Sequence, residues 1–246
     1  MKYYNQNNYA HIPYPSQQLP NATVKSGGCG LCCSSNVLSF FGADYPPEVL
    51  APIFIQKGAR ANGGTNMFIA ANIVSELCGC EFETTSDENK LIECLKDGGI
   101  VIANVDGDIG EKGIFSNQGH FINILSYNQD STLNVFDVAY YKGKFSSAYR
   151  SQYVKESTDQ YGNPIQICSK EVLDIDTKHR TPNYYLFRKG ENTLPTTTIE
   201  TPEQAIKILQ EKGIIDSPEY WQKAQGCVKY LDLLLVKIAS YLEENS

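Results

Sequence analysis

Ser26-Gly27-Gly28-Cys29-Gly30-Leu31-Cys32-Cys33-Ser34-Ser35-Asn36-Val37-Leu38-Ser39-Phe40-Phe41-Gly42 is the stretch from which the rest of the chain is read. Leu31, Ser34 or Ser35, Leu38 and Phe41 recur at threes and fours, which predicts a helix that Gly42 is suited to end. Cys29 then falls in the first turn, where unpaired N–H groups and the helix dipole favour a thiolate. Glycines on both sides leave room for another backbone to approach the sulfur. The segment therefore presents a nucleophilic thiol.

With 246 residues, the chain can form one large domain, or one domain with an appendage. Its 41% hydrophobic and 20% charged residues suit a folded protein rather than a disordered one. A net charge of −7 supplies no basic stripe to follow phosphates, so a nucleic-acid partner is not expected. No apolar run approaches the length of a membrane span. Residues 1–8 lack the apolar core of a signal peptide, so synthesis and residence in the cytoplasm are expected. Eight cysteines are then read as free thiols. Cys29-x-x-Cys32 has redox spacing and Cys78-x-Cys80 is half a metal site, but no strand or second Cys/His cluster completes either. No metal or cofactor is expected. Cys33, Cys78, Cys94 and Cys168 read as small core residues.

Residues 1–25 read as an extended arm and loop. A second helix starts near Pro46-Pro47 and is disturbed at Pro52. Thr65 caps a third, with Phe68, Ile69, Ile73 and Leu77 inward and Gly79 at its end. A fourth covers 88–96. The period then changes: 100–105, 121–127 and 133–138 are strands, with a glycine-rich loop at 106–119. Residues 146–158 read as helix or loop, Ser169 to Val172 as a short turn, and 183–188 as the closing strand. Helices followed by an antiparallel sheet make an α+β domain over 1–190. A linker over 191–200 leads to a small helical appendage, 201–246. There Thr201-Pro202-Glu203-Gln204 forms a capping box, and a stripe from Cys227 to Leu242 offers a face for self-association.

A nucleophilic cysteine needs a base, and the base an orienting group. Only His11, His120 and His179 are available. His120 begins a strand, and Asp137 ends the next. A hairpin centred between Asn128 and Gln129 would pair Ile124 with Leu133, Ile122 with Val135 and His120 with Asp137, all on one face. Asn123 is the competing orienter but points to the opposite face, and His11 could line a substrate rim. The Cys29 N–H and a side-chain amide would hold an oxyanion. Gln6 on the arm is the candidate amide, with Gln17 and Gln18 as rivals.

Tyr4-Asn5-Gln6, Gly28-Cys29-Gly30, Gly64-Thr65, Gly119-His120-Phe121 and Asp137 occur in the order found in papain-like cysteine peptidases of the C39-like group, which the chain resembles over residues 3–188. The resemblance implies a papain-like fold, with Cys29 as nucleophile, His120 as base, Asp137 as orienter and Gln6 as oxyanion donor. Leu31-Cys32 and Asp137-Val138 depart from the usual pattern, which leaves subfamily and substrate open. The tail phrase Ser217-Pro218-Glu219-Tyr220-Trp221 resembles a segment of wall-degrading enzymes from Clostridium-like bacteria and their phages. Together these imply a phage endolysin or stored wall hydrolase, reaching bacterial peptidoglycan on release at lysis. Cleavage of proteins or leader peptides, an N-acetylmuramoyl-L-alanine amidase activity, and an inactive binding module are the alternatives.

Overall fold

The computed structural model describes residues 1–106, 113–190 and 202–211, with the single positions 213, 215, 221 and 238. The chain divides into two compact units, Met1–Gly190 and Glu191–Ser246. In chain order the first unit contains α1 (Val24–Gly27), α2 (Cys29–Phe40), α3 (Pro47–Gln56), β1 (Arg60–Ala61), β2 (Gly64–Thr65) and α4 (Met67–Cys78). These are followed by β3 (Cys80–Thr85), α5 (Glu88–Lys96), β4 (Ile100–Val105), β5 (His120–Tyr127) and β6 (Thr132–Phe136). The unit ends with β7 (Val154–Thr158), β8 (Pro164–Ser169), α6 (Lys170–Thr177) and β9 (Tyr184–Lys189). Seven strands form one antiparallel sheet in the order β3-β9-β4-β5-β6-β8-β7. The architecture is α+β, with helices packed on an antiparallel sheet.

Each face of the sheet carries its own core. On one, Leu31, Val37, Phe54, Ala70 and Val74 of α2, α3 and α4 meet Ile100, Ile102, Phe136 and Phe187. On the other, Leu91 and Cys94 of α5 and Val172 and Leu173 of α6 cover Val101, Ala103, Ile122, Ile124 and Val135. Burial on both sides is why β4 reads as an unbroken apolar run.

The helical expectations hold with local corrections. Helix α2 ends at Phe40, and Gly42 adopts φ +86° just beyond it. Helix α3 runs through Pro52 without a break. The cap of α4 is Asn66, whose carboxamide accepts from the Ile69 N–H. Thr65 lies in β2 instead, its hydroxyl against Tyr14 at 3.1 Å. Met67, Ala70, Ala71 and Val74 form the inner face of α4 with Ile73, whereas Phe68 is exposed.

The sheet differs more. Strands β3 and β7 are its two edges, and they carry Glu81, Glu83, Lys155 and Glu156. Charged edges resist pairing with other chains, but the same charges erase the alternation that betrays a strand. Residues 146–158 are accordingly a short 3-10 turn followed by β7, neither helix nor plain loop. Ser169 caps a full helix, α6. Strand β9 is not terminal in the sheet: it lies between β3 and β4, its Tyr184-Tyr185-Leu186-Phe187 buried throughout.

The β5–β6 hairpin has a different register from the expected one. Asn128–Thr132 make a longer turn, in which Asp130 accepts from the Thr132 N–H and hydroxyl and Ser131 sits at φ +65°. Tyr127 therefore pairs with Leu133, a displacement of three residues that alone would reverse every face. A bulge between Ile124 and Ser126 takes one residue back. Ile124 then pairs with Val135 instead of Leu133, so the net displacement is two and the faces are restored.

In the second unit α7 (Pro202–Glu211) buries Ala205, Ile206 and Leu209 with Ile215, and Trp221 is half-buried beside them. The linker over 191–200, the Thr201 cap and, Trp221 and Ile238 apart, the expected tail phrase and apolar stripe lie outside the described residues. No helix among the described residues is long and apolar enough to cross a membrane.

Candidate active site

Gly28 joins α1 to α2, and a Cβ there would stand 2.5 Å from the Val24 carbonyl, so only glycine fits. A Cβ on Gly30 would likewise stand 2.7 Å from that of Thr65. The two glycines let the front of α2 approach α1 and β2 closely, and Cys29, its first residue, is partly exposed.

His120 is the first residue of β5, paired with Val105 of β4, and is buried. The segment before it is anchored by Asp176 of α6, whose oxygens accept from Ile114 N at 2.8 Å and Phe115 N at 2.6 Å. Strand parity puts His120 on the side of Ile122 and Ile124, whereas Cys29 packs with the core on the opposite side. The two groups nevertheless come within electrostatic reach of each other round the end of the strand, each shifting the other's titration. The imidazole Nε2 meets Asp137 Oδ1 at 2.8 Å, so Nδ1 is the ring nitrogen not engaged by the acid. Asp137, just past β6, is fully buried. The expected direct pairing of His120 with Asp137 is thus a diagonal contact in the shifted register, possible because the shift is even.

The electrostatics follow from this packing. Burial opposes the Cys29 thiolate, but His120 and the backbone N–H groups of Phe121 and Gly30 outweigh it and pull the thiol below its ordinary value. Burial likewise opposes the imidazolium, yet Asp137 and then Cys29 raise His120 to about 9. Asp137 is lowered to about 2 despite burial, by His120 and by Lys144. Away from the site burial dominates: it raises Cys94 to about 11 and puts Cys32 and Cys33 well above ordinary thiols.

Gln6 lies in a short turn of the N-terminal arm. Its N–H donates to the Val138 carbonyl at 2.7 Å, and its carboxamide Nε2 to the Lys25 carbonyl at 2.9 Å. One residue thereby ties the segment beside Asp137 to the segment leading into Cys29. Gln17 and Gln18 are exposed on the following loop, with the Gln18 N–H turned to Asn62. Asn123 faces α2, donating to the Cys33 carbonyl at 3.2 Å and accepting from Asn36 at 2.9 Å. His11 is exposed and stacks on Tyr9, and His179 is exposed at the end of α6.

Sequence reasoning missed Lys144, which is buried with its ammonium on Asp137 Oδ2. It also missed Gln166 of β8, which accepts from the Asp137 N–H at 2.8 Å, and the Ala139 N–H, which donates to Asp137 Oδ1 at 2.9 Å. A lysine in a tyrosine- and glycine-containing loop carries no local sign of burial. Arg60 is a further cation near Cys29, held under Gly27 with its guanidinium 4.6 Å from the Tyr14 ring.

No family model matches the chain, and no curated protein matches its sequence. Among solved structures, a Bacillus anthracis chain described as a C39-like peptidase is similar over 73% of this chain and 96% of its own. The identity is 14% and the TM-score 0.44, a weak likeness of overall fold that says nothing of a substrate.

Proposed function

We propose that the protein is a thiol-dependent amide hydrolase of the C39-like, papain-like kind. The supporting observation is the buried His120 ring, whose Nε2 meets the Asp137 carboxylate at 2.8 Å and whose charge lowers the Cys29 thiol. In this reading the Cys29 thiolate attacks the carbonyl carbon of a peptide bond. The His120 imidazolium gives its proton to the leaving amine, and the neutral ring then takes a proton from the water that splits the thioester. Asp137 keeps the ring oriented and stabilises its charged form. The Cys29 N–H and the second N–H of the Gln6 carboxamide, whose first is spent on Lys25, would hold the tetrahedral oxygen.

The substrate we put first is an amide of bacterial peptidoglycan, on the strength of the tail phrase at 217–221 alone. Incubation of the purified protein with peptidoglycan and with casein tests both levels. New free amines and soluble muropeptides support a wall hydrolase, and fragment masses separate a stem or cross-bridge cut from the muramoyl–alanine cut. Casein cleavage alone moves the substrate to proteins. Cys29→Ala and His120→Ala abolish turnover in either case, and Gln6→Ala lowers kcat more than it changes KM. Retained turnover in folded Cys29→Ala refutes the mechanism.

A further inference from the structure

We propose that Lys144 is a positioning residue of this site, locking the second oxygen of Asp137 so that His120 faces a carboxylate half-neutralised by a fixed cation. The inference rests on the amide-hydrolase reading of Cys29 and His120 and adds a component that reading does not require.

The lysine is held as part of a built loop. Glu156 of β7 accepts from the Tyr140 hydroxyl at 3.0 Å, from Phe145 N at 3.1 Å and from Gly143 N at 3.4 Å. Asn5 and Asn7 of the arm donate to the Tyr140 carbonyl at 2.7 and 3.2 Å. Lys144 enters the interior from this clamped turn, its side chain 7% exposed and its ammonium 5.7 Å from the Phe145 ring. Asp137 thus accepts His120 and the Ala139 N–H on Oδ1 and the ammonium on Oδ2, so its orientation is set from both ends.

Charge makes the arrangement consequential. The titratable and charged groups around His120 are Cys29 from α2, Asp137 and Lys144 from the β6–β7 connection, Glu156 from β7 behind the loop, and Cys33 beneath Asp137. Arg180 lies against Gly119 and is paired with Asp106 at 2.5 Å. Among these, Lys144 is the cation that shares the carboxylate with the imidazole. It therefore weakens the pull of Asp137 on the imidazolium while keeping that carboxylate ionised and aimed. A ring held by the bare acid would cling to its proton and be a poorer donor to a leaving amine.

The test is the titration of His120 followed by histidine-selective NMR, with its signal assigned by its absence in His120→Gln. Lys144→Met is expected to move the titration to higher pH by about one to two units, from one unit charge removed within about 7 Å of the ring, across a carboxylate, at an effective dielectric near 20. Lys144→Arg leaves it in place. A lysine that only filled space would give the opposite sign, because a loosened ring drifts down toward an ordinary histidine. An unchanged or lowered titration in Lys144→Met overturns the proposal. Should that variant not fold, Lys144→Gln, which keeps a donor without the charge, is read by the same criterion. The readout needs no substrate: absence of turnover in the wild-type protein would count against the hydrolase reading, and a wrong sign here only against Lys144.

Discussion

Replacing Asp137 with asparagine should disarm the sulfur without touching it. His120 stands at about 9 although burial works against its charge, and Asp137 is the largest favourable influence on it. With that charge gone, only Cys29 still opposes burial and the ring falls toward its ordinary 6.5, a drop of up to about 2.5 pH units or about 3 kcal/mol. At pH 7.5 a group titrating at 9 is almost wholly protonated, and one at 6.5 is less than about one-tenth protonated. The Cys29 thiolate loses its counter-ion in that proportion, and burial, the leading influence on it, then raises the thiol. Alkylation of Cys29 by iodoacetamide at pH 7.5, followed by peptide mass spectrometry, should slow at least about tenfold. Cys94, raised to about 11, serves as the internal slow thiol. Because the cysteine and histidine titrate as a pair, the measured midpoints belong to the pair. Circular dichroism establishes that the variant is folded, since Lys144 loses its counter-charge in the same step. An alkylation rate within twofold of wild type would refute the reasoning.

The same groups set a pH window for stability. His120, raised in the folded state, contributes fully below 6.5 and loses its contribution as pH rises through about 9. Asp137, lowered, contributes fully above 3.8 and loses it as pH falls through about 2. The melting temperature should therefore fall more between pH 7 and 9 in the wild type than in His120→Gln, and equal slopes would contradict this. Asn123→Ala leaves the buried Asn36 Nδ2 without its acceptor and takes a side-chain donor from the Cys33 carbonyl, and urea unfolding should register a loss of about 1–3 kcal/mol. A loss under about 0.5 kcal/mol would mean that water or rearrangement replaces these bonds. Gly30→Ala drives a Cβ to 2.7 Å from that of Thr65 and should cost about 1–3 kcal/mol in the same assay. No loss there would show that α2 can move off β2 freely.

Much of this arrangement is written in short-range patterns. The spacing of Leu31, Leu38 and Phe41 needs no distant partner to form α2, so the position of Cys29 at its first turn is legible directly. Gly79 marks the end of α4 with φ +66°, and the apolar run at 100–105 declares a strand buried on both faces. The parity of His120 and Asp137 is equally local, since side chains on a strand alternate whatever the strand pairs with.

What escaped depends on partners far along the chain. The charged edges β3 and β7 are strands because β9 and β8 lie beside them. The hairpin register depends on a five-residue turn stabilised by Asp130 and on a bulge at Leu125, two departures that cancel in parity but not in pairing. Lys144 is buried because Glu156, eleven residues from the Phe145 N–H it binds, folds the loop inward onto Asp137. An ammonium enters the interior only where a carboxylate already waits for it, and that meeting is a property of the assembled fold, invisible to any window of sequence.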